Sequence, residues 1–417
     1  MNEIRTMTRE EIPAYVELIA GSYPTMDLTT PEKKDHAAGR MVARLDELPV
    51  ECSYVGAFDG VEMVGGMIVY PFTMNWRGAM VPAGGVGMVA TSLMHRREHI
   101  ARDMIRWFVE EERDRGAVFA LLYPFSTAFY HRMGFGFSSL TMRYELIPGL
   151  LPKTGDRSLC QSLTEHDIDL VRDHCNRVVR MRNGMLEKRE FELKEMLKAP
   201  GRVVGVQQGS QITGLLRFSF GDRIDGNFLA YDLLVSELSY ETPAALQAIL
   251  SYIGSLSDQV RRVRIDTQNP EFYHVIDDPR DTSGTLLGDI CHRANQGGVG
   301  LMIRLTGHEL SEELLASAHF GSGTVTVSLD IAETLTSVTT CRIGLCFEGG
   351  RAAHMAAEQC ASRVQLGVAD ASSLLTGAVS LQTLVQLGRA EVTPESELER
   401  INHIFRTDVP PVCTTEF

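Results

Sequence analysis

Residues 84–104, GGVGMVATSLMHRREHIARDM, decide the fold. Small and apolar residues run to Thr91 as a strand, a short polar turn follows, and a helix opens at about Arg97. Over 96–115 this helix sets Ile100, Met104, Ile105, Phe108 and Val109 on one face, against an exterior of Arg, Glu and Asp. Its first turn presents unpaired N–H groups and the positive end of the helix dipole. Arg96 and Arg97 add formal charge, so the turn suits a pyrophosphate. A strand, turn and helix with two arginines is equally a solvated helix start, so the reading needs support from the rest of the chain.

Working outward, 1–7 reads as a strand, and Thr8 caps a helix carrying Ile12, Tyr15, Val16 and Ile19 on one face. A second helix spans 31–45. Strands over 53–59 and 62–70 join through the turn Asp59-Gly60, and another strand covers 86–91. Beyond the central helix lie a buried strand over 117–123, a short helix over 127–133 and an alternating strand over 138–146. This is the order of a mixed α/β domain over 1–150, closed by the linker Pro148-Gly149-Leu150-Leu151-Pro152.

The same order repeats over 151–285. A strand at Cys160 leads to helices near 165–181 and 190–197, strands over 202–217 and 227–235, a helix over 243–256 and a strand over 260–266. A linker over 279–288, rich in Asp, Ser, Thr and Gly, marks a change of pattern. Half-buried antiparallel strands over 301–305 and 325–331, with helices gathered later, predict a smaller α+β domain over 286–417.

Of the 417 residues, 44% are hydrophobic and 23% charged, the balance of a folded soluble protein. The net charge of -14 argues against a nucleic-acid or membrane-surface binder and favours a cationic partner. The N-terminal MNEIRTMTREE has no apolar signal core, so export and membrane insertion are not expected. Eight cysteines without a CxxC or a regular framework read as reduced thiols, and the expected location is cytoplasmic.

Some thirty residues after the arginine pair, PFSTAFYHRMGFG places Tyr130 on a short helix just beyond a buried strand. Here Arg96-Arg97-Glu98-His99-Ile100-Ala101 resembles the Arg/Gln-x-x-Gly-x-Gly/Ala pyrophosphate loop of the GNAT superfamily of N-acetyltransferases. Phe129 to Phe135 resembles their second cofactor motif, in the right order and at the right separation. The first glycine of the loop is His99 here, where a Cβ opposes close backbone approach while an imidazole offers a donor.

Over its whole length the chain resembles the Eis (enhanced intracellular survival) acetyltransferases. That resemblance implies tandem GNAT domains, the second degenerate, followed by a domain similar to sterol carrier proteins. The cofactor turn of the second repeat would be LVSELSYET (234–242), without arginine pair or glycine, while Leu374, Gly377, Ser380, Leu384 and Gly388 match the closing helices of the third domain.

The resemblance also assigns roles. Acetyl-CoA would be held by Val89, Ala90, Thr91, Arg96, Arg97, Glu98, His99, Ile100, Ala101, Arg102, Phe125 and Ser126. Tyr130 would protonate the leaving thiolate, and the terminal carboxylate of Phe417 would be the general base. Asp27 and Glu416 match acidic positions of the family's substrate pocket. The implied substrates are amines of aminoglycosides or polyamines, and the implied assembly is a hexamer.

Other readings compete with these. The chain could acetylate protein lysines, or be a lipid-binding scaffold with a vestigial CoA site, a reading that His99 favours. Tyr23 and Trp76 read as aromatic neighbours of a cationic amine, beside Asp27. His95 and His99 are four apart, as helical zinc ligands are, but without a following glutamate or a third ligand no metal is expected. Cys341 and Cys346 would point to opposite strand faces, and Ser162, His166 and Asp167 read as helix capping.

Overall fold

A computed structural model describes residues 2–47, 50–198, 202–224, 227–307, 310–337 and 340–417. Met1, at the head of the strand expected over 1–7, lies outside the described residues. The chain divides into two compact units, one of 1–138, 301–411 and 416–417, the other of 139–300 and 412–415.

The first 138 residues carry strands β1 (Glu3–Thr6), β2 (Ser53–Asp59), β3 (Glu62–Trp76), β4 (Ala79–Thr91), β5 (Phe119–Leu122) and β6 (Gly136–Phe137). Their helices are α1 (Ile12–Ser22), α2 (Pro31–Glu47), α3 (Ile100–Asp114) and α4 (Thr127–His131). Residues 139–300 add β7 (Leu140–Leu146), β8 (Cys160–Leu163), α5 (Ile168–Met181), α6 (Glu190–Lys198), β9 (Arg202–Gln208), β10 (Gln211–Ile224), β11 (Asn227–Tyr240), α7 (Pro243–Gly254) and β12 (Val260–Thr267). The hairpin β13 (Leu286–Leu287) with β14 (Cys291–His292) and the strand β15 (Gln296–Val299) complete that stretch. The remainder supplies β16 (Met302–Leu305), α8 (Glu312–Ser317), β17 (Val325–Ala332), β18 (Thr340–Glu348), β19 (Arg351–His354), β20 (Ser362–Gly367), α9 (Val368–Thr376), α10 (Leu381–Gln386), β21 (Ala390–Thr393) and α11 (Leu398–Phe405).

In the first unit one sheet has the order β1-β2-β3-β4-β5-β16-β6, antiparallel throughout except for the parallel pair β4 and β5. The helix α1 starts from a capping box in which Thr8 and Glu11 satisfy each other's backbone, and it buries Ile12, Tyr15, Val16 and Ile19 as its periodicity predicts. The helix α3 buries Ile100, Met104, Ile105, Phe108 and Val109 in the same core as Val55, Met67 and Leu122.

Two expectations are corrected here. β3 and β4 are longer than the strands read over 62–70 and 86–91, because Pro71, Pro82 and the glycines of 84–87 look like breakers while the ladder in fact runs through them. The two strands meet at Arg77-Gly78, both at positive φ (52° and 87°), the two-residue turn that suits a twisted hairpin. The strand expected to close the first domain, over 138–146, instead pairs with β12 as β7, and Tyr144 and Leu146 fill the second unit's core. The fully buried β16 takes the place beside β5. Local alternation reports that a segment is a strand, not which sheet receives it.

Trp76 is also corrected. It is fully buried, its indole N–H donating to the Leu375 carbonyl at 3.0 Å, with Phe119 and Phe320 edge-on to its ring. Next to it the buried Arg77 donates to the carbonyls of Leu375 (2.7 Å) and Phe405, and burial pulls its guanidinium down to about 10. The same unit holds a second sheet, β19-β18-β17-β20-β21, with α9, α10 and α11.

The second unit repeats the first in outline. Its sheet is β15-β7-β12-β11-β10-β9-β8, with β11 and β12 its parallel pair and α7 between them in sequence. Among the described residues no helix is long and apolar enough to cross a membrane.

Candidate active site

β4 and β5 pair in parallel only from Ala83 with Phe119 to Gly85 with Leu121. β5 ends at Leu122, whereas β4 continues to Thr91, so among the described residues the edge of β4 beyond Gly85 has no strand partner on that side. Opposite β3 the register shifts between Gly66 with Ala90 and Ile68 with Gly87, a bulge that places Met88 at φ 52°. The bulge is held from α1 and the loop after it: the Tyr15 hydroxyl donates to the Met88 carbonyl (2.6 Å) and the Tyr23 hydroxyl to that of Val89 (3.0 Å). Tyr23 therefore braces the strand.

After Thr91 the chain makes one short turn, capped by Ser92, and enters α3 through Arg97 and His99, both left-handed at φ 70° and 63°. A left-handed backbone is the conformation that glycine adopts freely, so His99 keeps the glycine-like geometry of the loop while carrying a ring. His95 lies on the short turn and His99 at the helix cap, not together on one helical face. The Glu98 carboxylate, 3.0 Å from His95 Nδ1, raises the imidazole above its ordinary value.

At this turn opens a cleft of about 950 Å³. Of the residues expected to hold the cofactor, Thr91, Arg96, Arg97, His99, Ile100, Ala101, Arg102, Phe125 and Ser126 line it; Val89, Ala90 and Glu98 flank these in sequence without lining it. Phe129, Arg132 and Met133 of the second cofactor motif line it as well, and so does His95, which the sequence had brought up only as a metal ligand. Four arginines and the first turn of a fifteen-residue helix make one wall cationic, which fits the phosphates of a nucleotide cofactor.

Tyr130 stands on α4, buried, with the rings of Phe125, Phe129 and Phe135 within 5.2–6.0 Å. Burial, with a smaller push from Tyr23, raises its hydroxyl well above the ordinary tyrosine value, so it keeps its proton at neutral pH.

The last residues of the same unit are Glu416 and Phe417. The Phe417 ring is half-buried among Tyr70, Phe72 and Tyr123, at centroid distances of 5.7, 4.9 and 5.5 Å. Its backbone carboxyl lies against Gly87: a Cβ there would be 3.0 Å from the carboxyl carbon and 3.0 Å from an oxygen. At Gly85 a Cβ would meet the rings of Phe72 and Phe417 at 2.5 and 2.8 Å. Gly85 and Gly87 thus clear the space that Phe417 fills, a role not foreseen from the sequence, whereas Gly84 faces the Glu112 side chain. Glu416 is exposed. So is Asp27, whose carboxylate bonds Lys33 (2.6 Å) and Thr29 (3.2 Å) and is held low chiefly by Lys33.

The corresponding turn of the second unit is closed. Thr242 caps α7 by accepting from the Ala245 N–H (3.1 Å), Pro243 opens the helix, and Glu241 is held by His174 (2.7 Å) and Arg177 (2.9 Å). A carboxylate stands there in place of the arginines of the first unit. On the turn that leads into α5, Thr164 and Asp167 form a capping box; of the cluster expected to cap, Ser162, His166 and Asp167, only Asp167 does so.

Comparison with known proteins agrees with this architecture. An acetyltransferase (GNAT) domain family matches residues 3–138, a second acetyltransferase (GNAT) domain family matches 181–304, and a sterol carrier protein domain family matches 312–414. An uncharacterized N-acetyltransferase of Streptomyces avermitilis is 24% identical over 407 residues, 91% of either chain. One from Streptomyces coelicolor is 28% identical over 191 residues, 42% of this chain and 46% of its own.

Among solved structures, a GCN5-related N-acetyltransferase from Anabaena variabilis superposes with a TM-score of 0.80 at 15% identity, and Eis1 from Mycobacterium abscessus with 0.76 at 18%. Both cover the whole of each chain, a likeness of fold. The chain is an N-acetyltransferase that carries two acetyltransferase (GNAT) domains followed by a sterol carrier protein domain, and its fold is like that of Eis1.

Proposed function

We propose that the first unit transfers the acetyl group of acetyl-CoA to primary amines of aminoglycoside-like or polyamine-like substrates, with Tyr130 as acid and the Phe417 carboxylate as base. The observation that carries this reading is the carboxyl group of Phe417 set against Gly87, on the same strand that leads into the arginine-lined cleft. The cleft residues bind the diphosphate end of acetyl-CoA, and the unpaired edge of β4 beyond Gly85 offers its backbone to the pantetheine arm.

The amine arrives as an ammonium ion and loses a proton to the Phe417 carboxylate, directly or through water. Its lone pair attacks the thioester carbonyl and the C–S bond then breaks; the departing thiolate takes the Tyr130 proton, the second proton on the new amide nitrogen passes through water to the Tyr130 phenolate, and Phe417 releases its own proton to solvent. A cationic substrate suits this reading, because Glu416 supplies a second carboxylate next in sequence to Phe417.

The Eis resemblance extends the proposal to a cytoplasmic homohexamer, which sedimentation equilibrium checks. The function itself is tested by following free thiol from acetyl-CoA with a panel of aminoglycosides, polyamines and lysine peptides. Amine-dependent thiol release with polyamines or aminoglycosides is expected. Release with lysine peptides alone would move the assignment to protein acetylation, and none with any amine would contradict it.

A further inference from the structure

We infer that Gln268, in the second unit, is a positioning residue for the Phe417 carboxylate: its amide fixes the tail at Cys413, four residues before the end of the sequence. This rests on the reading of that carboxylate as the base. Residues 412–415 belong to the second unit and 416–417 to the first.

The anchor is specific. The Cys413 N–H donates to Gln268 Oε1 (2.7 Å), and Gln268 Nε2 donates to the Cys413 carbonyl (2.5 Å). One side-chain amide thereby satisfies both backbone groups of one residue, as a neighbouring strand would. Carboxylate lacks the donor for this and an aliphatic side chain lacks both groups.

Around it the Val412 N–H donates to the Asn183 carbonyl (2.9 Å), and Thr414 Oγ1 donates to Glu237 Oε1 (3.2 Å). Lys188 Nζ bridges Glu237 Oε2 (3.2 Å) and the Thr414 carbonyl (3.5 Å). Burial alone would pull the Lys188 ammonium down, but Glu237 and Glu192 outweigh it and hold it charged. Val412, Cys413 and Thr415 are 8%, 2% and 0% exposed.

The second GNAT domain, with its own cofactor turn closed, therefore works as a clamp. With Cys413 held, a short length of chain separates the anchor from the carboxylate. Releasing the anchor spreads that carboxylate over many positions, and a misplacement of about 1 Å at a reacting group costs about 10²-fold.

The test compares Gln268→Leu, Gln268→Glu and the parent, each with its present terminus and with a few residues added after Phe417. In Gln268→Leu we expect turnover to fall about 10-fold to 10²-fold with KM for acetyl-CoA unchanged. Carboxypeptidase should release Phe417 several-fold faster, and Gln268→Glu, which keeps the acceptor for the Cys413 N–H, should lie between. In the extended protein Gln268→Leu should add no further loss.

Parent-like turnover and parent-like release of Phe417 in Gln268→Leu would overturn the clamp. So would an equal loss in the extended protein, which would show that Gln268 acts on something other than the terminus. Full activity of the extended parent would instead fail the base assignment, and the rate of Phe417 release then still decides whether Gln268 holds the tail. Should Gln268→Leu not fold, the same two readouts on Gln268→Glu decide.

Discussion

At the scale of single residues, the chemistry rests on a proton that must be kept and a space that must stay empty. Tyr130 is protonated at neutral pH, as tyrosines ordinarily are, and burial raises its hydroxyl further. Tyr130→Phe removes one oxygen and little packing volume, so steady-state kinetics should show turnover reduced by about 10²–10⁴ with acetyl-CoA affinity retained. The empty space is at Gly87. In Gly87→Ala the new Cβ stands 3.0 Å from the Phe417 carboxyl, and the chain end is the neighbour that yields. We predict about 10²-fold lower turnover with normal acetyl-CoA binding by calorimetry; unchanged turnover would place the base elsewhere. Tyr130 was legible in the sequence because its motif is short and contiguous. Gly85, Gly87 and Gln268 were not, since what gives each of them meaning lies at the far end of the chain. Asp27 was expected at an acidic substrate-pocket position, but its pairing with Lys33 six residues later leaves no trace in residue type alone.

Among secondary-structure elements, the most legible were those specified by their own residues. The buried face of α3, the cap of α1 and the helix starts follow from helical period and capping chemistry. The elements misread were those whose partners are remote: β7 and β16, each a recognisable strand, take places set by sheet pairing far along the chain. Two predictions belong to this scale. Arg96→Ala with Arg97→Ala should weaken acetyl-CoA binding at least about 30-fold, the sum of two charged phosphate contacts of about 1 kcal/mol or more each. Calorimetry on the parent should find one site per chain, because the second unit's turn holds Glu241 where the first holds arginines.

The second prediction concerns acid. Glu11, bonded chiefly to Arg5 and also to the Thr8 backbone, has its carboxyl lowered to about 2. A lowered folded value means stability that is present above about 4.5, the ordinary value, and is lost as pH falls towards 2. Thermal melts of Glu11→Gln should show a shallower loss across that window than the parent, and identical slopes would show that the pair contributes nothing.

For the whole molecule, one fold is used twice for different ends. The first GNAT domain carries a cationic cleft and a cleared strand edge, while the second, with its phosphate turn capped and filled, holds residues 412–415. The repeat itself was visible in the order of elements, and so was the change of pattern after it. Its division of labour was not, because a closed turn and an open one differ in a handful of side chains. The central claim is that the carboxylate ending this sequence at Phe417 is the base. It is tested most directly by turnover of protein extended by a few residues after Phe417, beside an N-terminally extended control of equal length. The account predicts a loss of about 10²-fold or more in the C-terminally extended protein alone, with acetyl-CoA affinity and melting temperature unchanged. Equal turnover in the two would contradict it.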